Sequence, residues 1–205
     1  MALLVDTRPP HETVVAKFYQ DGADSIRAHR ALALVSERCA RSNALATLRA
    51  PRVLLHDESL AVLVQSAAPG LPLAGLTSAR PAARMERVGR ALAELHRLPG
   101  DGVEPRALSD HIAELVRPAP EQLAAALPKH AWLIGRALEW MHERDRAWPS
   151  TSRPVLLHRD FQLRQMFDAE TQITVVDWDD LAAGDPSFDI YYLVAYLRSH
   201  LPIDT

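Results

Sequence analysis

Residues 155–189 constrain the fold more than any other stretch of this sequence. Two short apolar runs each end next to acidic loop residues: Val155–Leu157 leads to Asp160, and Ile173–Val176 leads to Asp177. Apolar or β-branched runs of this length, bounded by polar turn residues, are typical of strands. We therefore predict an antiparallel hairpin in which the ends of these two strands bring Asp160 and Asp177 together.

The loop between the two acids carries a carboxamide, Gln165, just before a short predicted strand at Met166 and Phe167. Each acid taken alone is more simply an ordinary loop residue that caps a turn. Two carboxylates and an amide oxygen in one small volume instead indicate a Mg²⁺ site with a catalytic base beside it. Such a group suits phosphoryl transfer to a hydroxyl: Asp160 orients the acceptor, Asp177 holds Mg²⁺, and Gln165 completes the metal shell.

Composition excludes several other classes of protein. The 205 residues allow one large domain or two small ones, and the net charge of -3 argues against a nucleic-acid partner. The single cysteine, Cys39, excludes an internal disulfide framework and is predicted to fill a helix face. The first ten residues do not resemble a signal peptide, and no stretch approaches the roughly 18 apolar residues of a membrane span. We therefore expect a cytoplasmic protein without a membrane partner; the oligomeric state stays open.

The pattern along the chain predicts an α+β fold with two lobes. Residues 1–66 are predicted to form a small antiparallel sheet lobe with one helix, and residues 67–205 a larger, mainly helical lobe that carries the catalytic hairpin. Predicted strands cover 13–19, which contains Lys17, and then 53–56 and 60–65; 3–5 is a further short candidate. Predicted helices cover about 24–38, capped by Asp24 or Ser25, and then 80–97, 109–116, 120–127, 129–148 and 187–199. The Pro- and Gly-containing stretch after residue 66 is predicted to be the domain boundary.

The motifs HRDFQLRQM, VVDWDD and GDPSFD resemble those of the aminoglycoside phosphotransferase and choline kinase family, which has a protein-kinase-like fold. The usual family pattern is H-x-D-x-x-x-x-N, then an Asp after an apolar strand, then G-D-P-x-x-D. The resemblance extends in order over nearly the whole chain, through VVAKFY, IRAHRALALV, LAVLVQSAAPGLPL and VGRALAELHRLP.

The resemblance implies a role for individual residues. Asp160 matches the catalytic Asp, Asp177 matches the principal Mg²⁺ ligand, and Gln165 stands where the family usually has Asn. Lys17 matches the Lys that pairs with nucleotide phosphates; the alternative is a strand Lys whose stem covers apolar surface. The implied cofactors are ATP and Mg²⁺, and the implied partners are a nucleotide and a small-molecule acceptor.

Three further residues are interpreted from their positions. His158 and Asp189 match positions that hold the catalytic loop by hydrogen bonds, and His96 is expected to be structural.

The sequence departs from the family pattern in three places. It has no Gly-rich run before Lys17, it has Ala28 where the family helix carries a Glu, and it ends soon after Asp189. Asp24, one turn earlier on the same helix face, is a candidate substitute for the missing Glu. We interpret the chain either as a fragment or as a divergent member of the family.

Three functions therefore remain open. The first is an ATP-dependent kinase for a small, cationic hydroxyl compound. The second is a catalytically impaired nucleotide-binding or protein-interaction module, and the third is a metal-dependent hydrolase. Asp179 and Asp180 are either a solvated loop or a source of negative potential for a cationic substrate.

Overall fold

The computed structural model describes residues 2–6, 13–42, 44–74, 81–107, 109–111, 118–147 and 153–200. Within these residues the chain forms three small sheets and a set of α-helices, which confirms the predicted α+β class. One buried cluster joins the first two helices to the strands and loops of residues 156–178. Its members include Leu32, Val35, Leu95, Ile173 and Trp178.

The first sheet is antiparallel and positions Lys17. Its strands are β1 (Ala2–Asp6), β2 (Thr13–Phe18), β4 (Val53–Asp57) and β5 (Val62–Ser66), in the spatial order β1-β2-β5-β4. The predicted strands of this region are confirmed to within a few residues. Val14 and Ala16 are buried on one face of β2, so Lys17 lies on the other face, as the period of two requires.

Helix α1 (Gly22–Arg41) packs behind this sheet and is longer than predicted. Its N-cap is Asp21, whose side chain accepts a hydrogen bond from the backbone N–H of Asp24 at 2.8 Å. The predicted caps, Asp24 and Ser25, both lie inside the helix, so that prediction was wrong. Cys39 is buried on the inner face of α1, as predicted, and burial raises the pKa of its thiol to about 11.

Two smaller sheets carry the segment that constrains the fold. The second sheet, in the order β3-β9-β8-β6, contains β3 (Leu48–Arg49), β6 (Leu71–Pro72), β8 (Met166–Asp168) and β9 (Ile173–Val175). The third pairs β7 (Val155–Leu157) with β10 (Ala182–Gly184).

The predicted pairing of the two acid-bearing strands was therefore wrong. β9 forms its hairpin with β8, whereas β7 pairs antiparallel with β10, a three-residue strand that the sequence did not reveal. The three residues of β10 are all small, and they lie close against β7: a Cβ added at Gly184 would lie 2.8 Å from Leu157 Cδ1. Asp160 and Asp177 consequently approach each other from two different sheets.

The remaining helices follow the predicted pattern. They are α2 (Pro81–Leu95), α3 (Pro120–Ala126), α4 (Ala131–Ala147) and α5 (Ser187–His200). The predicted helix at 109–116 falls mainly outside the described residues. The division at residue 66 stays a prediction; the second sheet combines β3, which precedes that position, with β6, β8 and β9, which follow it. Among the described residues, no helix combines the length and the apolar character needed to cross a membrane.

Gly70, which precedes β6, is predicted to be important for stability. Its φ is +93°, and a Cβ added there would lie 2.2 Å from the carbonyl oxygen of Asp168. Replacing Gly70 by Ala should therefore lower the free energy of unfolding by about 2–4 kcal/mol. Urea denaturation measures this loss, with Gly89→Ala as the matched control, because Gly89 lies in α2 with open space around it. Equal stability of Gly70→Ala and the wild-type protein would contradict this account of the turn.

Candidate active site

Lys17 connects the first sheet to the acid-bearing loop that follows β9. Its Nζ lies 2.5 Å from Asp177 Oδ1 and 2.8 Å from Asp179 Oδ1. Burial alone would lower the pKa of Lys17, but the negative charges of Asp179 and Asp177 outweigh it and raise this pKa. Lys17 is therefore held as a cation beside two carboxylates, at the position that sequence analysis assigned to the phosphate-binding Lys.

The conformation of the Asp177–Asp179 segment explains why both acids face Lys17. Trp178 between them is buried, and its Nε1 donates to the carbonyl oxygen of Val175 at 2.8 Å. Asp177 has a φ of +67°, which is rare for a residue with a side chain and costs of order 1–3 kcal/mol. The anchored indole holds the turn, so the carboxylates on either side of it project into the cleft.

Asp160 lies beside this group and is surrounded by hydrogen-bond donors. Gln162 Nε2 donates to Asp160 Oδ1 at 2.6 Å, and Gln165 Nε2 donates to Asp160 Oδ2 at 2.9 Å. Tyr192, from α5, lies near Asp160. Burial, together with the Asp160 carboxylate, raises the pKa of Tyr192, so its hydroxyl keeps its proton. Sequence analysis missed both Gln162 and Tyr192.

Gln165 joins the two acids that the sequence singled out. Its Nε2 also donates to Asp177 Oδ2 at 3.2 Å, so one amide bridges Asp160 and Asp177. The backbone supports this arrangement, because the N–H of Val176 donates to the carbonyl oxygen of Gln165 at 2.9 Å. The structure therefore brings together Lys17, Asp160, Gln165 and Asp177.

A buried carboxylate, Asp189, holds the loop that carries Asp160. It is fully buried and accepts hydrogen bonds from the backbone N–H groups of His158 and Arg159, both at 2.9 Å. His96 Nε2 lies 3.3 Å from the same carboxylate. Arg159 has a φ of +69°, a strained conformation that these bonds maintain. The scaffold roles expected for His158, Asp189 and His96 agree with these contacts.

The ring of His158 couples this loop to the strand end before Asp177. Its Nε2 lies 2.9 Å from the carbonyl oxygen of Val176, and its Nδ1 accepts from the backbone N–H of Asp160 at 3.3 Å. Since a carbonyl only accepts, these contacts fit a neutral ring protonated at Nε2. The ring is buried against Trp178, with centroids 4.6 Å apart. One imidazole thus sets the distance between the two acidic loops.

The predicted substitution of Asp24 for the missing helix Glu was wrong. Asp24 pairs with Arg27 at 2.7 Å and makes no ion pair with Lys17. Ala28 is 1% exposed and lies in the core. The second carboxylate on Lys17 is instead Asp179, which also accepts a hydrogen bond from the Tyr19 hydroxyl at 3.1 Å. The solvated-loop interpretation of Asp179 is therefore wrong as well.

Two cavities lie next to these residues. One, of about 850 Å³, lies between α1 and residues 102–106 and is lined in part by Asp179 and Asp180. The other, of about 380 Å³, lies beside Asp160 and is lined in part by Gln162 and Tyr192. The larger cavity therefore reaches two of the acidic residues, and the smaller one lies on the far side of Gln162, which donates to Asp160.

The donor set of the cleft fits Mg²⁺. Within the described part of the chain, no cluster of three or more His, Cys, Asp or Glu side chains is arranged to hold a metal ion. Mg²⁺ does not require such a cluster, since it is usually bound through one or two carboxylates, with water and phosphate oxygens as the other ligands. Asp177 supplies a carboxylate, and the amide of Gln165, turned by half a rotation, supplies a neutral oxygen.

Comparison with known proteins identifies the family. The sequence profile of the phosphotransferase enzyme family matches residues 3–204. No curated protein matches the chain by sequence.

Solved structures show the same fold at low identity. An aminoglycoside phosphotransferase from Streptomyces rimosus aligns with a TM-score of 0.68 and 17% identity over 99% of this chain and 77% of its own; it has also been solved in complex with ADP and streptomycin. A macrolide 2′-phosphotransferase from Brachybacterium faecium aligns with a TM-score of 0.59 and 20% identity over 94% and 67% of the two chains. An aminoglycoside phosphotransferase in complex with ADP and hygromycin B aligns with a TM-score of 0.63 and 17% identity, over 98% of this chain and 69% of its own.

These likenesses confirm the predicted protein-kinase-like form of the α+β fold. Together with the profile match, they confirm the resemblance noted in the sequence: the chain belongs to the phosphotransferase enzyme family.

Proposed function

We propose that the protein transfers the terminal phosphate of ATP to a hydroxyl group of a small, cationic molecule. The observation that carries this proposal is the bridge across the cleft. Lys17 contacts Asp177, and Gln165 joins Asp177 to Asp160. A cation, a metal-binding carboxylate and a second carboxylate in contact are the parts that phosphoryl transfer to a hydroxyl needs.

Asp160 is proposed to bind and orient the acceptor hydroxyl and to accept its proton. Gln162 and Gln165 donate to the two oxygens of this carboxylate, so its orientation is fixed before the acceptor arrives. Fixed geometry of this kind contributes to the rate because the reacting groups need no further ordering.

Lys17 is proposed to bind the nucleotide phosphates, and Asp177 with Gln165 to hold Mg²⁺. When bound, Mg²⁺ would neutralise charge on the phosphate oxygens as the phosphoryl group is transferred. Lys17 would add a second positive charge next to Asp177. ATP as the donor is supported by structural neighbours that were solved with ADP.

The acceptor is proposed to be a cationic hydroxyl compound, such as an aminoglycoside or an amino alcohol. Streptomycin and hygromycin B are the compounds bound in two of the structural neighbours, and this agrees with the proposed class.

Acceptor-dependent formation of ADP tests this function. Purified protein with Mg²⁺ and ATP is assayed against a panel of aminoglycosides, macrolides and amino alcohols. We expect at least one acceptor to raise ADP formation well above the blank without acceptor. Rates at the blank level for the whole panel would contradict the proposed turnover.

The second candidate is a catalytically impaired nucleotide-binding or protein-interaction module. It is motivated by Ala28, which is buried at the helix position where the family has a Glu. A thermal-shift assay with millimolar Mg²⁺-ATP separates the candidates, because a ligand of the folded state raises the apparent stability. Stabilisation without turnover would favour a nucleotide-binding module, and no stabilisation would favour a protein-interaction module.

A further inference from the structure

Lys17 pairs with an acid that lies outside helix α1, Asp179. Helix α1 is described over its whole length and contains two acids, Asp24 and Glu37. Asp24 pairs with Arg27, and Glu37 pairs with Arg41. Neither pairs with Lys17, so α1 supplies no carboxylate to this side chain.

The position of Asp179 is fixed from two sides. Lys17 Nζ lies 2.8 Å from its Oδ1, and the Tyr19 hydroxyl donates to its Oδ2 at 3.1 Å. Lys17 and Tyr19 are two residues apart, so both side chains lie on the same side of the chain at the end of β2. The buried indole of Trp178 anchors the same loop through its hydrogen bond to the carbonyl oxygen of Val175. Asp179 is therefore part of a built contact and not a solvated charge.

Asp177 and Asp179, the two carboxylates in contact with Lys17, cannot have the same role once a metal ion is bound. Lys17 Nζ contacts Asp177 Oδ1 at 2.5 Å, and Asp177 is the carboxylate proposed to hold the metal ion. A cation on Asp177 would repel the ammonium group of Lys17. Asp179 offers Lys17 a second partner that keeps it in the cleft after Asp177 has been released.

We propose that Asp179 is the positioning residue for Lys17, in place of an acid on α1, and that it holds Lys17 toward the nucleotide phosphates while Asp177 is free for the metal ion. This inference rests on the proposed function.

Calorimetric titration with ATP in the presence of Mg²⁺ tests the role of Asp179. Asp179→Asn should weaken ATP binding about tenfold to a hundredfold, the range expected when a hydrogen bond to a charged group is lost. Asp179→Glu should restore part of the affinity, and Tyr19→Phe should cause a smaller loss. Asp24→Asn is the matched control, since it removes an α1 acid that does not touch Lys17; its affinity should stay within about twofold of wild type.

Separate measurement of the KM for ATP and the KM for the acceptor distinguishes a positioning role of Asp179 from a general loss of structure. Asp179→Asn should raise the KM for ATP while the KM for the acceptor stays unchanged, and its unfolding midpoint should stay close to that of wild type. The inference is overturned if Asp179→Asn binds ATP as wild type does, if both KM values rise together, or if Asp24→Asn causes the larger loss. Absence of ATP binding by the wild-type protein would instead remove the proposed function, and this role with it.

Discussion

Replacing Asp160 by Asn is expected to reduce phosphoryl transfer about a thousandfold while ATP binding stays within about twofold of wild type. The carboxylate is the group proposed to accept the proton of the attacking hydroxyl, and an amide cannot take that proton. The substitution keeps the size of the side chain, but Gln162 and Gln165 donate to different oxygens of Asp160, so only one of them keeps its acceptor. The loss should therefore appear in kcat rather than in affinity for the nucleotide.

The measurement is steady-state ADP formation at saturating ATP, with nucleotide affinity measured separately by competition with a fluorescent analogue. Asp101→Asn is the matched control: it makes the same change at an exposed acid that pairs with Arg153 on the surface. The control should keep wild-type turnover. If Asp160→Asn and Asp101→Asn turn over equally well, Asp160 does not have the role proposed for it.

The second large effect is expected on stability, at Asp189. Replacing Asp189 by Ala removes the acceptor for the backbone N–H groups of His158 and Arg159, both of which are buried. Each buried donor left without a partner costs about 1–3 kcal/mol. We therefore expect the free energy of unfolding to fall by about 3 kcal/mol or more. Arg159 should also leave its positive-φ conformation, which would displace Asp160 and reduce turnover.

Urea denaturation of Asp189→Ala gives this free energy directly. Glu139→Ala serves as the control, because Glu139 forms an exposed ion pair with Arg136 on α4, and such pairs contribute little. A loss at Asp189 no larger than the loss at Glu139 would show that the buried carboxylate does not hold the loop.

The candidate site residues could be predicted from the sequence, because each follows a local signal. The β-branched run of β9 and the apolar run of β7 mark the places where Asp177 and Asp160 leave their strands. Lys17 stands out as a charge within an apolar strand. These signals depend on a few neighbouring residues, so they can be recognised without knowledge of the tertiary fold.

The partners of these residues could not be predicted, because they depend on how distant segments meet. Tyr192 reaches Asp160 from a helix 32 positions later in the chain, and no local pattern indicates that approach. The pairing of β7 with β10 was missed because three small residues carry no strand signal.

Lys17, from the first sheet, and Asp177, from the loop after β9, are proposed to form one nucleotide site. Calorimetric titration of Mg²⁺-ATP into wild-type protein, Lys17→Met and Asp177→Asn tests this proposal. We expect one ATP per wild-type chain, with both substitutions weakening its affinity at least about tenfold. Absence of binding to the wild-type protein, or binding that neither substitution weakens, would contradict the claim.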